Sequence, residues 1–459
     1  MNVLTKPASY DSNTPQNDYR AWADRLFWVG VVLGCVLSWW YACNQIVDGD
    51  QLQMIHKGYL GAYEGTWLSF GNTASVVGNV PGSLLAWVVG VPLMVWDSPY
   101  APMLLLIVLR LIGFLMLDNI VRQVYGQQPL ARLVFLLMCW LNPWFLFDSL
   151  LYNPSYLIFC AGLHAWTAFR MQTQKHFVWM VLHVLAIGLA MQLHFSWPLL
   201  VFVSLMLFYR GVLKVSWLGV LVALALIGWS LIPYLTQLID NPEMARHTDP
   251  NARERYIGWG AVHVYPVLKS VLYWLRYGAW SFPSKLVNST DFAWIGVTFV
   301  QISLSWLWTL LLGIVGAITV VISLVANVTA FRAIRPFWRR DLKPVSPQTW
   351  FLLYALAAFV AALISAGLAP IVFNYWHLTL IFPFALFPIL YWVMTYLSRS
   401  LNAVPYSLCW VGAFLILVNL VALNDSRKFS YGVSYQQQTQ DYVEQTFGSD
   451  KSANAWIGR

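Results

Sequence analysis

The sequence predicts an all-α polytopic membrane protein with about eleven transmembrane helices and re-entrant or juxtamembrane helices on the outer face. Three observations predict it. First, 59% of the 459 residues are hydrophobic and 10% are charged, against about 25% charged in soluble domains. So few charges do not cover a water-soluble particle of this size. Second, apolar runs recur from about residue 27 to 423, many with the roughly 20 residues that cross a hydrocarbon core about 30 Å thick. Third, the runs are continuous, whereas a membrane β-barrel alternates over segments of about ten residues, so helices satisfy the backbone.

Residues 1–26 form a polar segment expected on the cytoplasmic side, with Lys6, Arg20 and Arg25 flanking a first span at 27–43. That span is expected to anchor the chain without cleavage. A polar, Gly-rich stretch runs from Asn44 to Val80. Apolar runs follow at 81–96, 102–121, 131–147, 155–171, 177–193, 196–209 and 215–236, then a polar loop at 237–296. The last runs are 298–329, 349–367, 372–396 and 405–423, before a tail at 424–459. If all of these runs crossed, Arg332, Arg335, Arg339, Arg340 and Lys343 would lie outside, against the positive-inside rule. One early run must therefore fail to cross. The stretch 81–96, about 16 residues or roughly 24 Å of helix, contains Pro92 and fits a re-entrant or interfacial helix better than a span. With it removed, eleven spans remain in a membrane domain at 27–423. Arg122, Arg132, Arg170, Lys175, Arg210, Lys214 and Arg399 fall inside. The loop 44–101, the turn 148–154, the loop 237–296 and the tail fall outside.

The net charge of +8 orients loops in such a protein and implies no nucleic acid. Cys35, Cys43, Cys139, Cys160 and Cys409 lie in or beside apolar runs, without metal-ligand spacing or a disulfide framework.

The outer loop opens with Asp48-Gly49-Asp50. Two carboxylates this close can hold a divalent metal such as Mg or Mn, or leave one acid as a general base. The alternative is a polar turn with Asp50 capping a helix over 51–60. Arg110 lies halfway along its span, where a charge costs about 2.5–3.5 kcal/mol on insertion scales. Asp118 is about 12 Å away by helical rise and is expected to pair with Arg122 at i,i+4. Arg110 then needs a partner in the outer loop or in the 148–154 turn, and either bracing or ligand binding fits it. Asp148 is either an exposed turn residue or a site acid.

The order of these features resembles the GT-C glycosyltransferases, of the protein O-mannosyltransferase and lipid A aminoarabinose transferase type. Asp50 is followed at the family's distance by Gly65-Thr66-Trp67. Asn79-Val80-Pro81-Gly82 heads the short helix 81–96, and Arg110 lies in the next span. Gln51 stands where the family often has Glu, and Asn79 or Val80 replaces the lysine of its Lys-Pro-Pro segment. Pro143 and Ser149 match the family's pattern after the third span, but its acid position is Ser155, with Asp148 and Asn153 nearby. Motifs support the likeness over about residues 27–200 and architecture over the remainder.

The resemblance implies an inverting membrane glycosyltransferase using a polyprenyl-phosphate-linked sugar donor and a periplasm-facing acceptor. Such an acceptor is a cell-envelope glycan, a lipid-linked glycan or a pilin-like protein, and the enzyme sits in the bacterial inner membrane. Asp50 is then the catalytic base. Asp48, Arg110, Asp148, Asn153, His194, Arg255, Tyr256, Lys269 and His377 are substrate-binding candidates, and Asp48 with Asp50 are the ligands if a metal is used. His194 and His377 sit at outer helix boundaries where relatives often carry Lys or Arg. The cations Arg246, His247, Arg253, Arg255 and Lys269 of the outer loop fit a lipid phosphate, or a solvated loop balanced by Asp240, Glu243, Asp249 and Glu254. The competing class is a transporter or flippase for a lipid-linked sugar, which needs polar groups through the whole membrane depth.

Overall fold

In the computed structural model, the described residues are 16–74, 78–126, 128–242, 264–282, 292, 295–337, 345–369, 374–397, 404–424, 426 and 428–448. The first helix, α1 (Gln16–Cys43), starts well before the apolar run. It leads to α2 (Gly49–Glu64), a small antiparallel pair β1 (Phe70–Thr73) and β2 (Asn79–Pro81), and α3 (Leu84–Val95). Next come α4 (Tyr100–Val124), α5 (Pro129–Trp140, its last turn a π turn) and the four-residue α6 (Pro143–Leu146). They are followed by α7 (Leu157–Arg170), α8 (Phe177–Leu193), α9 (Pro198–Tyr209) and α10 (Trp217–Asp240). The remaining helices are α11 (Val264–Tyr277), α12 (Thr298–Ile334), α13 (Pro347–Leu368), α14 (Tyr375–Tyr396), α15 (Val404–Asn424) and α16 (Tyr435–Phe447). Among the described residues, seven helices are long and apolar enough to cross a membrane unaided; α3, α5, α8 and α9 are shorter apolar helices. The chain is a multi-pass, all-α membrane protein.

Contacts between helix ends sort the loops into two sets. At one end Arg132 reaches Asp24 and Asp118, the Lys214 amide reaches the Met171 carbonyl, and Trp350 reaches the Val212 carbonyl. Among the described residues, this basic end carries most of the Lys and Arg side chains. At the other, the loop end, Gln45 pairs with Phe429, the Leu151 amide reaches the Gln45 side chain, Asn153 reaches the Leu193 carbonyl, and Ser69 bonds Gln237. The exit of α1 and the segment after α15 therefore share one end, as an odd number of crossings requires. Between the ends run α1, α4, α5 with α6, α7, α8, α9, α10, α12, α13, α14 and α15, the eleven segments expected. The run 81–96 gives α3, about 18 Å long, packed on α2. The packing is close because both helices are notched. A Cβ on Gly61 would meet Trp67 at 2.5 Å, and one on Gly90 would meet the Gly58 carbonyl at 2.6 Å. Trp67 thus folds back over both helices, which is the physical content of the Gly-x-Trp segment.

Two expectations need correction. Asp118 pairs with Arg132, not Arg122: the guanidinium lies 2.9–3.2 Å from both Asp118 oxygens and also holds Asp24 at 2.6 Å. Tertiary packing of α5 on α4 and α1 delivers a better-aimed fork than the i,i+4 neighbour. The helix after Asp48 begins at Gly49, so Asp48 is its N-cap residue and Asp50 sits inside its first turn.

Candidate functional site

Three groups of side chains meet at the loop end. The first is the head of α2. Asp48 has extended backbone, and its carboxylate forms an ion pair of 2.5 Å with Lys428. Asp50 follows in the first turn, and among the described residues its carboxylate has no hydrogen-bonding or ion-pair partner. Burial pushes its pKa up and Asp48 adds to the rise, while Lys428 and Lys57 oppose it. The turn is lashed down by β1. Asn72 donates to the Asp50 carbonyl at 3.0 Å, the Thr73 amide donates to Gln53 at 2.9 Å, and Lys57 donates to the Gly71 carbonyl at 3.0 Å. Burial lowers the Lys57 pKa to about 8 against the pull of Asp50. Lys57 escaped the sequence reading, although it lies seven residues, two helical turns, from Asp50 and so on the same face.

The second group surrounds Arg110. The 148–154 turn does supply its partner, but through carbonyls and a hydroxyl instead of a carboxylate. The guanidinium donates to the Phe145 and Asp148 carbonyls and to Ser149 Oγ, and stacks 4.1 Å from the Phe145 ring. It thus ties down one carbonyl in α6 and one just past its C-terminal end. Asp148 is buried, not an exposed turn residue. Among the described residues its Oδ2, Arg110 Nε and Trp144 Nε1 have no hydrogen-bond partner, and all three residues line one small cavity of about 10 Å³, room for roughly one water. Tyr277, Tyr375, Thr379 and Phe382 complete much of its wall. The Tyr277 and Tyr375 rings lie 5.1 and 5.8 Å from Trp144, and Arg276 stacks on Trp144 at 5.2 Å. Ser155, at the position where the resemblance places an acid, approaches the Asp148 carboxyl without completing a hydrogen bond.

The third group joins α11 to α14. Lys269 donates to Asn374 Oδ1 at 2.8 Å, and the Asn374 amide donates to His377 Nδ1 at 2.9 Å. The His377 ring lies 5.6 Å from that of His194, whose Nδ1 is bonded to Ser196 at 2.9 Å. His194 keeps a solvent-facing edge, yet packing around its nitrogens lowers its pKa. Asn153 is committed to the Leu193 carbonyl at 2.9 Å and anchors the α8 end beside His194. Tyr277 OH donates to the Tyr375 carbonyl at 2.6 Å, tying α11 to the cavity wall. Arg276, Tyr277 and Trp144 were not singled out in the sequence; they lie on an amphipathic helix hidden in a polar loop, and in an apolar run.

Tyr152 connects the groups, lying within electrostatic reach of Asp50, Tyr375, Asp148 and Asp48. Asp48, Asp50, Arg110, Asp148, Asn153, His194, Lys269 and His377 therefore occupy one end of the molecule. Arg255 and Tyr256 lie outside the described residues. Among the described residues, no three His, Cys, Asp or Glu side chains are grouped to hold a metal ion.

No protein-family model matches the chain, and no curated protein matches its sequence. Its fold has solved counterparts. The crystal structure of ArnT from Cupriavidus metallidurans bound to undecaprenyl phosphate aligns with a TM-score of 0.51 at 12% identity, covering 94% of this chain and 74% of that one. The apo structure of the same protein gives 0.48 at 12% identity, covering 81% of this chain and 60% of that one. This chain thus spans about 60% of the apo ArnT chain. What the likeness to the lipid-bound structure shows is the fold alone: an all-α polytopic membrane architecture similar to that of ArnT.

Proposed function

We propose that the protein is a membrane glycosyltransferase of the inverting GT-C type. It moves a sugar from a polyprenyl-phosphate donor to a hydroxyl of a periplasm-facing acceptor, in the bacterial inner membrane. The observation that carries the reading is convergence. Tyr375 lines the Asp148 cavity, adjoins the Asn374 that holds Lys269, and shares Tyr152 with Asp50. A base, a cation and an aromatic-walled cavity thus lie at the same end of the bundle. The ArnT structure bound to undecaprenyl phosphate supports a lipid-phosphate donor, and the charge asymmetry of the two ends supports a periplasmic loop end.

In this reading the small cavity walled by Trp144, Tyr277 and Tyr375 receives one hydroxyl of the sugar, taken by the unpartnered Asp148 and Trp144 atoms. Asp50 accepts the acceptor's O–H proton as the acceptor oxygen bonds to the anomeric carbon. The bond from that carbon to the phosphate oxygen breaks, its electron pair leaves with the phosphate, and Lys269 stabilises the charge that develops there. The prenyl chain lies along the exposed apolar side of α11, at Val264, Leu268 and Leu272. Lys428 already gives Asp48 a cation, so no metal is assigned to the acid pair, and chelator should leave turnover unchanged. Because burial raises the Asp50 pKa, turnover should fall as pH drops through that raised value, where the base is protonated.

The depth of the bundle favours transfer over flipping. Towards the basic end the buried polar groups close on one another. His164 bonds Tyr354 at 2.6 Å and Ser204 at 2.8 Å, and His183 bonds the same Ser204 at 3.0 Å. The test is transfer by the purified protein from defined polyprenyl-phosphate sugars. Lys269→Ala should raise the donor KM about tenfold or more, as loss of one charged contact predicts, and leave the acceptor KM unchanged. Unaltered donor dependence would remove Lys269 from the phosphate site.

A further inference from the structure

The segment after α15 was expected to be a polar tail. In the structure it grips the acid turn from both sides. The Ile46 amide donates to the Lys428 carbonyl and the Ser430 amide to the Asn44 carbonyl, each at 2.9 Å, so that Gln45 and Phe429 face each other as an antiparallel pair. Gln438 brackets the same strand, accepting from the Val47 amide and donating to the Gln45 carbonyl, each at 3.0 Å. Beyond the acids, Tyr442 OH is bonded to His56 at 3.1 Å and Phe447 stacks on His56 at 5.6 Å. Residues 44–47 precede the acid pair and His56 follows it, so both flanks of the turn are held by one segment.

The same segment reaches the second acid. Phe429 is fully buried, and its ring packs 4.6 Å from Tyr41 and 5.3 Å from Phe147. Phe147 immediately precedes Asp148. Gln45, paired with Phe429, also accepts from the Leu151 amide at 2.9 Å. The segment thus fixes the Asp50 turn and the Asp148 turn to one buried ring, while Lys428 reaches over to Asp48.

We infer that Lys428–Phe447 is part of the functional site: a clamp that sets the spacing of the two acid turns, with Lys428 as a positioning residue that ties down Asp48 and leaves Asp50 alone facing the acceptor. The inference rests on the reading of Asp50 as the base. Its energetic basis is geometric. An ion pair that is partly exposed adds little stability, but misplacing a reacting group by about 1 Å can cost about 10²-fold in rate.

The experiment uses the full-length protein in two arms. In the transfer assay, Lys428→Met should lower kcat about tenfold or more with both KM values unchanged. Lys428→Arg should retain most of the rate, and the swap Asp48→Lys with Lys428→Asp should recover much of the loss. A Lys428→Met protein with normal kcat, or one in which Lys428→Arg is as poor as Lys428→Met, overturns the positioning role. The second arm needs no activity and follows amide hydrogen exchange. Gln438→Ala should speed exchange at Val47 about tenfold or more while α4 stays protected, because it removes that amide's acceptor. Unchanged exchange at Val47 overturns the clamp whether or not the protein transfers sugar. A working clamp with an active Asp50→Asn protein would instead fault the base assignment.

Discussion

Two buried arginines show how differently the two ends of this bundle are built. Arg132, at the basic end, holds Asp118 through three close contacts and Asp24 through a fourth, and stacks 3.8 Å from Phe27. Its charge is fully answered, and the cluster has nothing left to offer a ligand. Arg110, towards the loop end, is turned onto backbone carbonyls, and a carboxylate beside it is left with an unpartnered oxygen at a cavity. Buried polar groups are costly unless paired. A closed cluster therefore reads as architecture, and an open one reads as a site waiting for a polar ligand.

The comparison can be broken by mutation. The largest effect on folding should come from Arg132→Met, which strands the buried Asp118 carboxylate and should cost about 3–5 kcal/mol. Thermal unfolding in detergent would measure it, and adding Asp118→Leu should restore much of the loss. A small shift for the single variant would mean that the cluster is not structural. Asp148→Asn should spare the fold more. Stability should fall less than for Arg132→Met, because Arg110 keeps its contacts to the Phe145 and Asp148 carbonyls and to Ser149, while transfer should fall about tenfold or more through loss of a charged hydrogen bond to a sugar hydroxyl. Marked unfolding without a specific loss of transfer would place Asp148 with the architecture.

Much of the fold was legible in the sequence because the bilayer constrains it so strongly. Apolar length gave the runs, and the cluster at 332–343 gave the parity that removed α3 from the crossings. The likeness to ArnT and the meeting of Gln45 with Phe429 agree with that reading of the fold. Helix α11 was hidden because it is amphipathic. Its apolar residues are split between an exposed side, with Val264 and Leu268, and a buried one, with Tyr273 and Tyr277, so no continuous run marks it. The partner of Asp118 was missed because local i,i+4 geometry says nothing of what another helix brings. The burial of Asp148 depends on cover from Tyr277 and Tyr375, far away in sequence. The docking of α16 through Gln438 and Tyr442 had no signal either: a polar helix after the last span looks like any solvated tail.

The central claim is that Asp50, and not its neighbour Asp48, removes the acceptor's proton. The most direct measurement is sugar transfer by purified, folded Asp50→Asn and Asp48→Asn proteins. Asparagine keeps the size of the side chain but cannot take the proton. The account predicts a fall of about 10²–10⁴-fold for Asp50→Asn, with donor binding retained, and a smaller fall for Asp48→Asn, whose tie to Lys428 is lost. Near-normal turnover by Asp50→Asn would contradict it.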